Sequence, residues 1–198
     1  GPQLGDIKQK LVGEIGVSIG RLAIDQRGAI WAAGKSAYRI VPERDVSSAT
    51  ESGLLFSSVE TVVPAIDGTV WVCSQYDGLA RYRNSNVEEI ALPDRREPYT
   101  AGLELGANHY IFGTGSDGLV ETRDGLIEEV SMGSTSGALL SNSVTRLEKD
   151  ASGGIWVGTL DGVCYRDADR KWHRWESDSS RPMGQVNGMG ISSRGDVW

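Results

Sequence analysis

Few side chains in this sequence have the type and spacing to do acid–base, nucleophilic or metal chemistry. The two cysteines, Cys73 and Cys164, lie far apart in the chain and form neither a disulfide framework nor a zinc pattern. They read as small buried hydrophobes. The two histidines, His109 and His173, stand beside no cysteine or acidic pair at ligand spacing, so they read as ordinary strand residues and not as triad or metal residues. Calcium needs six to eight converging oxygens. The nearest fragment, Asp167-Ala-Asp169, lacks the glycine and the distal glutamate of a calcium loop. Gly113-Thr-Gly-Ser-Asp-Gly118 lies between two strands and opens no helix, so it is not a phosphate loop. The sequence therefore predicts no catalytic residue, no metal and no cofactor.

Composition sets the frame for those residues. Of 198 residues 39% are hydrophobic and 24% charged, with a formal charge of −7. That balance argues against nucleic acid and anionic membranes, which require clustered Lys and Arg. No apolar run approaches the roughly 20 residues of a membrane span. The start, Gly1-Pro2-Gln3, has no charged or apolar region of a signal peptide, and Gly-Pro reads as a protease-cleavage scar. The 26 glycines are nearly double a background of about 7% and point to a turn-rich β protein.

A repeat accounts for the glycines. Trp31, Trp71, Trp156 and Trp198 each follow a β-branched residue and stand three residues after a glycine: Gly28, Gly68, Gly153 and Gly195. A degenerate copy puts Ile111 in the tryptophan slot. Successive slots are 40, 40, 45 and 42 residues apart. Twelve residues before the slots stand Ile19, Val59, Tyr99, Val144 and Val186, all apolar and inward candidates. After three of the slots come Asp77-Gly-Leu79, Asp117-Gly-Leu119 and Asp161-Gly-Val163, strong hairpin signals because glycine takes positive φ without a Cβ penalty. Each period thus holds four short strands. Four strands in about 42 residues is the arithmetic of a propeller blade, and stacked neighbours must bury its faces. The expected fold is all-β: a β-propeller of four-stranded antiparallel blades, about five in number, forming one domain over residues 1–198. The N-terminal segment Ile7–Ile15 would complete the last blade beside Trp198, although that junction has only 31 residues from slot to slot. Otherwise the chain is a piece of a larger ring.

Asn142-Ser-Val-Thr-Arg-Leu-Glu-Lys-Asp-Ala-Ser-Gly-Gly-Ile-Trp-Val-Gly-Thr-Leu-Asp-Gly-Val163 resembles the repeat of two-component regulator propellers. Val70-Trp-Val72 with Asp77-Gly-Leu-Ala-Arg-Tyr82 is a second good copy. The first copy departs with Trp31-Ala-Ala-Gly34, and the third lacks the tryptophan. The resemblance implies a ligand-sensing module of a bacterial sensor or regulator, periplasmic or extracellular, often responsive to oligosaccharides. Its repeat residues are structural and carry no ligand information.

In a propeller the loops joining the second strand to the third, and each blade to the next, gather around the channel mouth. Here they offer Tyr76, Arg96, Tyr99, Asn142 and Asn187, whose aromatic, amide and guanidinium groups suit a polar small molecule or a sugar. The expected function is non-catalytic binding or sensing. The alternatives are a structural or engineered propeller fragment that completes its ring by self-association, and a propeller lyase with a histidine-containing site.

Overall fold

A computed structural model describes residues 20–35, 37–40, 47–48, 58–83, 86–90, 98–174 and 184–198. Within them lie four antiparallel four-stranded sheets, each a simple meander. Blade one holds β1 (Arg21–Ile24), β2 (Ile30–Ala33), β3 (Ala37–Ile40) and β4 (Ser47–Ser48). Blade two holds β5 (Val59–Pro64), β6 (Val70–Ser74), β7 (Leu79–Arg83) and β8 (Asn86–Ile90). Blade three holds β9 (Tyr99–Gly106), β10 (His109–Thr114), β11 (Leu119–Arg123) and β12 (Leu126–Val130). Blade four holds β13 (Val144–Lys149), β14 (Ile155–Thr159), β15 (Gly162–Arg166) and β16 (Trp172–Arg174). The described residues contain no helix. The all-β propeller read from the repeat is therefore the fold observed. The joining of Ile7–Ile15 to the last blade lies outside the described residues.

The slot residues sit on the second strands, and strand alternation sends them toward the following blade. Trp31 packs with Val62, Val70 and Val72 of blade two, Trp71 with Tyr110 and Phe112 of blade three, and Ile111 with Val144, Leu147 and Val157 of blade four. Their sequence neighbours turn back to the preceding blade. The core is thus a series of inter-blade seams.

Two local devices recur, the first in blades one and four and the second in blades two, three and four. In the turn between the first and second strands, an aspartate caps the backbone: Asp25 accepts from the amides of Arg27 and Ala29, and Asp150 from those of Ser152 and Gly154. Gly28, Gly68, Gly153 and Gly195 close these turns at φ between +77° and +88°. In the next turn a buried hydroxyl three residues past the slot does the same: Ser74 Oγ accepts from Tyr76 and Asp77, Thr114 Oγ1 from Asp117, and Thr159 Oγ1 from Asp161.

Val186 and Asn187 join residues 184–198 to β13 and β14 of blade four. Val186 donates to Thr159 O at 3.0 Å and accepts from Thr145 Oγ1 at 2.7 Å. A single bridge, Ile191 to Val197, and two bonds between Gly190 and Trp198 fold this segment back on itself.

Candidate functional site

A four-stranded meander sends alternate turns to opposite ends of the propeller. The crossover end carries the β2–β3-type turns and the blade-to-blade connections. The hairpin end carries the β1–β2 and β3–β4 types.

The described residues among those expected to bind ligand, Tyr76, Tyr99, Asn142 and Asn187, belong to the crossover end, and they fare differently. Tyr76 projects from the β6–β7 turn with 72% of its surface exposed. Asn187 is exposed, and its carbonyl accepts from the Arg146 guanidinium. Asn142 is committed to structure: its side-chain oxygen accepts from Met132 N and its carbonyl from Gly118 N, both at 2.8 Å. Tyr99 requires a correction. It is buried in the seam of blades two and three, edge-on to Phe112 at 6.2 Å, because its position twelve before the slot is an inward one. Arg96 lies outside the described residues. Of the four described residues, Tyr76 and Asn187 are exposed, Asn142 is half-buried and Tyr99 is buried.

Both cysteines are buried. Burial pushes the Cys73 thiol well up, so it stays protonated, and Cys164 Sγ accepts from Leu140 N at 3.1 Å. His173 hydrogen-bonds Asp167 at 2.6 Å, and this contact is the leading reason that the Asp167 carboxyl lies below its usual range.

His109 takes part in an ionic cluster that sequence spacing did not reveal. On the hairpin end of the seam between blades three and four, Glu121 Oε1 lies 2.5 Å from His109 Nε2, and Oε2 accepts from Arg166 Nη1 at 2.6 Å. Arg170 adds a longer contact to Glu121 at 3.4 Å and pairs with Glu128 at 2.6 Å. Burial acts to raise the Glu121 pKa, but bonds from Arg166 and His109 outweigh it and leave the carboxyl lowered. Glu121 is only 3% exposed, so the cluster locks a seam and offers no substrate an approach. Among the described residues no group of three His, Cys, Asp or Glu side chains could hold a metal.

The same position is filled differently at each seam. Tyr82 of blade two packs edge-on against Trp31 at 5.4 Å. Arg166 of blade four reaches Glu121. The equivalent residue of blade three, placed by the same strand register, is Thr122. This short side chain leaves the seam of blades two and three open at the hairpin end. A cleft of about 360 Å³ lies there, lined by Trp71, Arg81, Asn108, Tyr110, Thr122, Asp124, Gly125 and Ile127. The sequence signal was present, as threonine where the preceding repeat has tyrosine, but its meaning depends on which residues face each other across the seam.

Residues 138–161 match the family model described as two component regulator propeller. The chain carries a two component regulator propeller repeat. Its fold is shared with solved extracellular domains from B. thetaiotaomicron. The hybrid two component system BT4673 is 17% identical, with a TM-score of 0.75 over 93% of this chain and 25% of that one. The same domain described as a one component system gives 18% identity and a TM-score of 0.71 over 89% and 25%. This chain thus spans about a quarter of the length of those domains. A catalytically inactive virginiamycin B lyase from Staphylococcus aureus, solved with quinupristin, is 11% identical with a TM-score of 0.66 over 92% of this chain and 69% of that one. No curated protein matches the sequence.

Proposed function

We propose that this propeller is a non-catalytic sensing module, periplasmic or extracellular, that takes up a polar small molecule or glycan for a bacterial two component regulator. The observation that carries this reading is the regulator repeat at residues 138–161, set in a fold shared with extracellular domains of such systems. The titratable groups agree with it. Both histidines are held by carboxylates within the scaffold, and the one buried carboxylate among the ion pairs described, Glu121, braces a seam. A lyase would need its acid–base groups open to substrate, which the His109–Glu121 pair is not. Isothermal titration of the full chain with a panel of neutral and acidic oligosaccharides tests the reading. A saturable heat with at least one of them is expected, and silence across the panel overturns it. Tyr76→Ala and Asn187→Ala then show whether the crossover end participates.

A second reading, self-association, is favoured by Trp198 at 82% exposure together with Leu22 and Ile24 on β1 at 67% and 70%. Large apolar side chains on open sheet faces are the usual mark of a surface that another blade covers.

A further inference from the structure

The seam between blades two and three departs from the repeat at a second place, beside the first: Thr122 belongs to blade three, and the second departure to blade two. In blade one, Asp25 Oδ2 accepts the indole N–H of Trp31 at 3.0 Å, six residues before the slot. The equivalent residue of blade two is Ala65, which closes the same backbone turn through bonds with Thr69 and Gly68 but has no carboxylate to offer. Trp71 Nε1 is consequently buried without a hydrogen-bond partner. The Tyr110 hydroxyl is near enough for this N–H to offset part of the rise that burial imposes on its pKa. A buried donor left unpaired is costly and uncommon in folded proteins. At one seam, then, two substitutions remove the aromatic plug and the indole cap together, and a cleft stands where they would be.

From this geometry we infer that the cleft between blades two and three is a binding site for a single neutral pyranose ring. Its size falls in the range of small-ligand sites. Exposed Ile127 and the small accessible edges of the buried Trp71 and Tyr110 provide apolar surface for the C–H face of such a ring. Arg81, Asn108 and Asp124 provide donors and an acceptor for its hydroxyls. One cationic and one anionic side chain favour a neutral ligand over a sugar acid or an amine. The guanidinium of Arg81 lies 6.0 Å from the centre of the Trp71 ring, so ring face and hydrogen-bonding group belong to one surface. The inference rests on the sensing reading above, but it moves the site from the crossover end to the hairpin end.

The test labels the indole nitrogens of the full chain and titrates it with the methyl glycosides of glucose, galactose and mannose. The Trp71 signal, assigned by its loss in Trp71→Phe, is expected to shift saturably with one of them while the Trp31 signal stays in place. Thr122→Tyr restores the plug that blade two carries at Tyr82, and Ala65→Asp restores the cap that blade one carries at Asp25. Both are expected to abolish the shift while keeping the thermal melting transition of the parent. No saturable Trp71 shift with any glycoside, or an unchanged shift in Thr122→Tyr, overturns the assignment. Calorimetry with the oligosaccharide panel separates the two readings. Oligosaccharide binding that is indifferent to Thr122→Tyr overturns the cleft and leaves the sensing function standing, whereas absence of both glycoside and oligosaccharide binding removes both.

Discussion

Glu121 shows how much one carboxylate can matter in a molecule whose chemistry is otherwise structural. It is enclosed between His109, Arg166 and Arg170, and its carboxyl sits below the usual value because bonds from Arg166 and His109 prevail over burial. A folded-state pKa lower than the unfolded one, near 4.3 for glutamate, contributes stability that is fully present above the unfolded value. That contribution is lost as the pH falls through the folded value. Glu121→Gln leaves the Arg166 guanidinium buried opposite a neutral amide, a change expected to cost about 3–5 kcal/mol. Urea denaturation at neutral pH measures the loss. The gap between parent and variant should narrow as the pH falls below the unfolded value of about 4.3 and close only below the lower folded value, and a gap of equal size at acid and neutral pH would exclude the carboxylate as its source. Nothing near Glu121 in the sequence marks it, because Arg166 is 45 positions away and meets it only across a seam.

At the scale of the element, the blades interlock through a size rule between two repeat positions. The residue twelve before one slot packs against the residue two after the preceding slot. Val59 shares a cluster with Ala33, and Tyr99 with Cys73. Where the knob is Val144 or Val186 the hole is a glycine: a Cβ on Gly113 would meet Val144 Cγ1 at 2.5 Å, and one on Gly158 would meet Val186 Cγ1 at 2.7 Å. Gly113→Ala should therefore destabilise by about 1–3 kcal/mol through overpacking, and Val144→Ala should rescue part of that loss in a double-mutant cycle. Gly68→Ala is the contrasting case. Its Cβ would meet nothing within 4 Å, but φ is +82°, so the expected cost of about 1–2 kcal/mol is conformational. Val144→Ala should leave that cost unchanged in thermal melts. The strands and turns were legible from sequence because slot, glycine and hydroxyl recur at fixed offsets that the backbone itself requires. Tyr99 was misplaced as a ligand group because it stands at the boundary of a loop and a strand, where its offset from the slot was the better guide. The cleft was not legible. Thr122 and Ala65 are unremarkable residues until strand register shows that both adjoin Trp71.

For the whole molecule, the direction of the slots has consequences for association. Three slot side chains are covered by the blade that follows them: Trp31 by blade two, Trp71 by blade three, Ile111 by blade four. By the same geometry Trp198 looks toward a following blade, and it is 82% exposed. On β1 the burial alternates, with Ala23 packed toward blade two and Leu22 and Ile24 exposed on the opposite face. Among the described residues, these two exposed surfaces correspond to the two halves of a seam, a slot face and a receiving face, and they are complementary in kind. Two copies can satisfy them by head-to-tail contact, the heterologous arrangement that closes into a ring or continues as an open chain of molecules. Light scattering over a concentration series should show a mass rising above that of the monomer. Trp198→Ser and Leu22→Ser, which alter opposite faces, should each return it toward the monomer. Mixing the two variants should restore a dimer and nothing larger, because each retains one intact face. A monomeric mass at every concentration, or variants that fail to complement each other, would show that these faces do not meet.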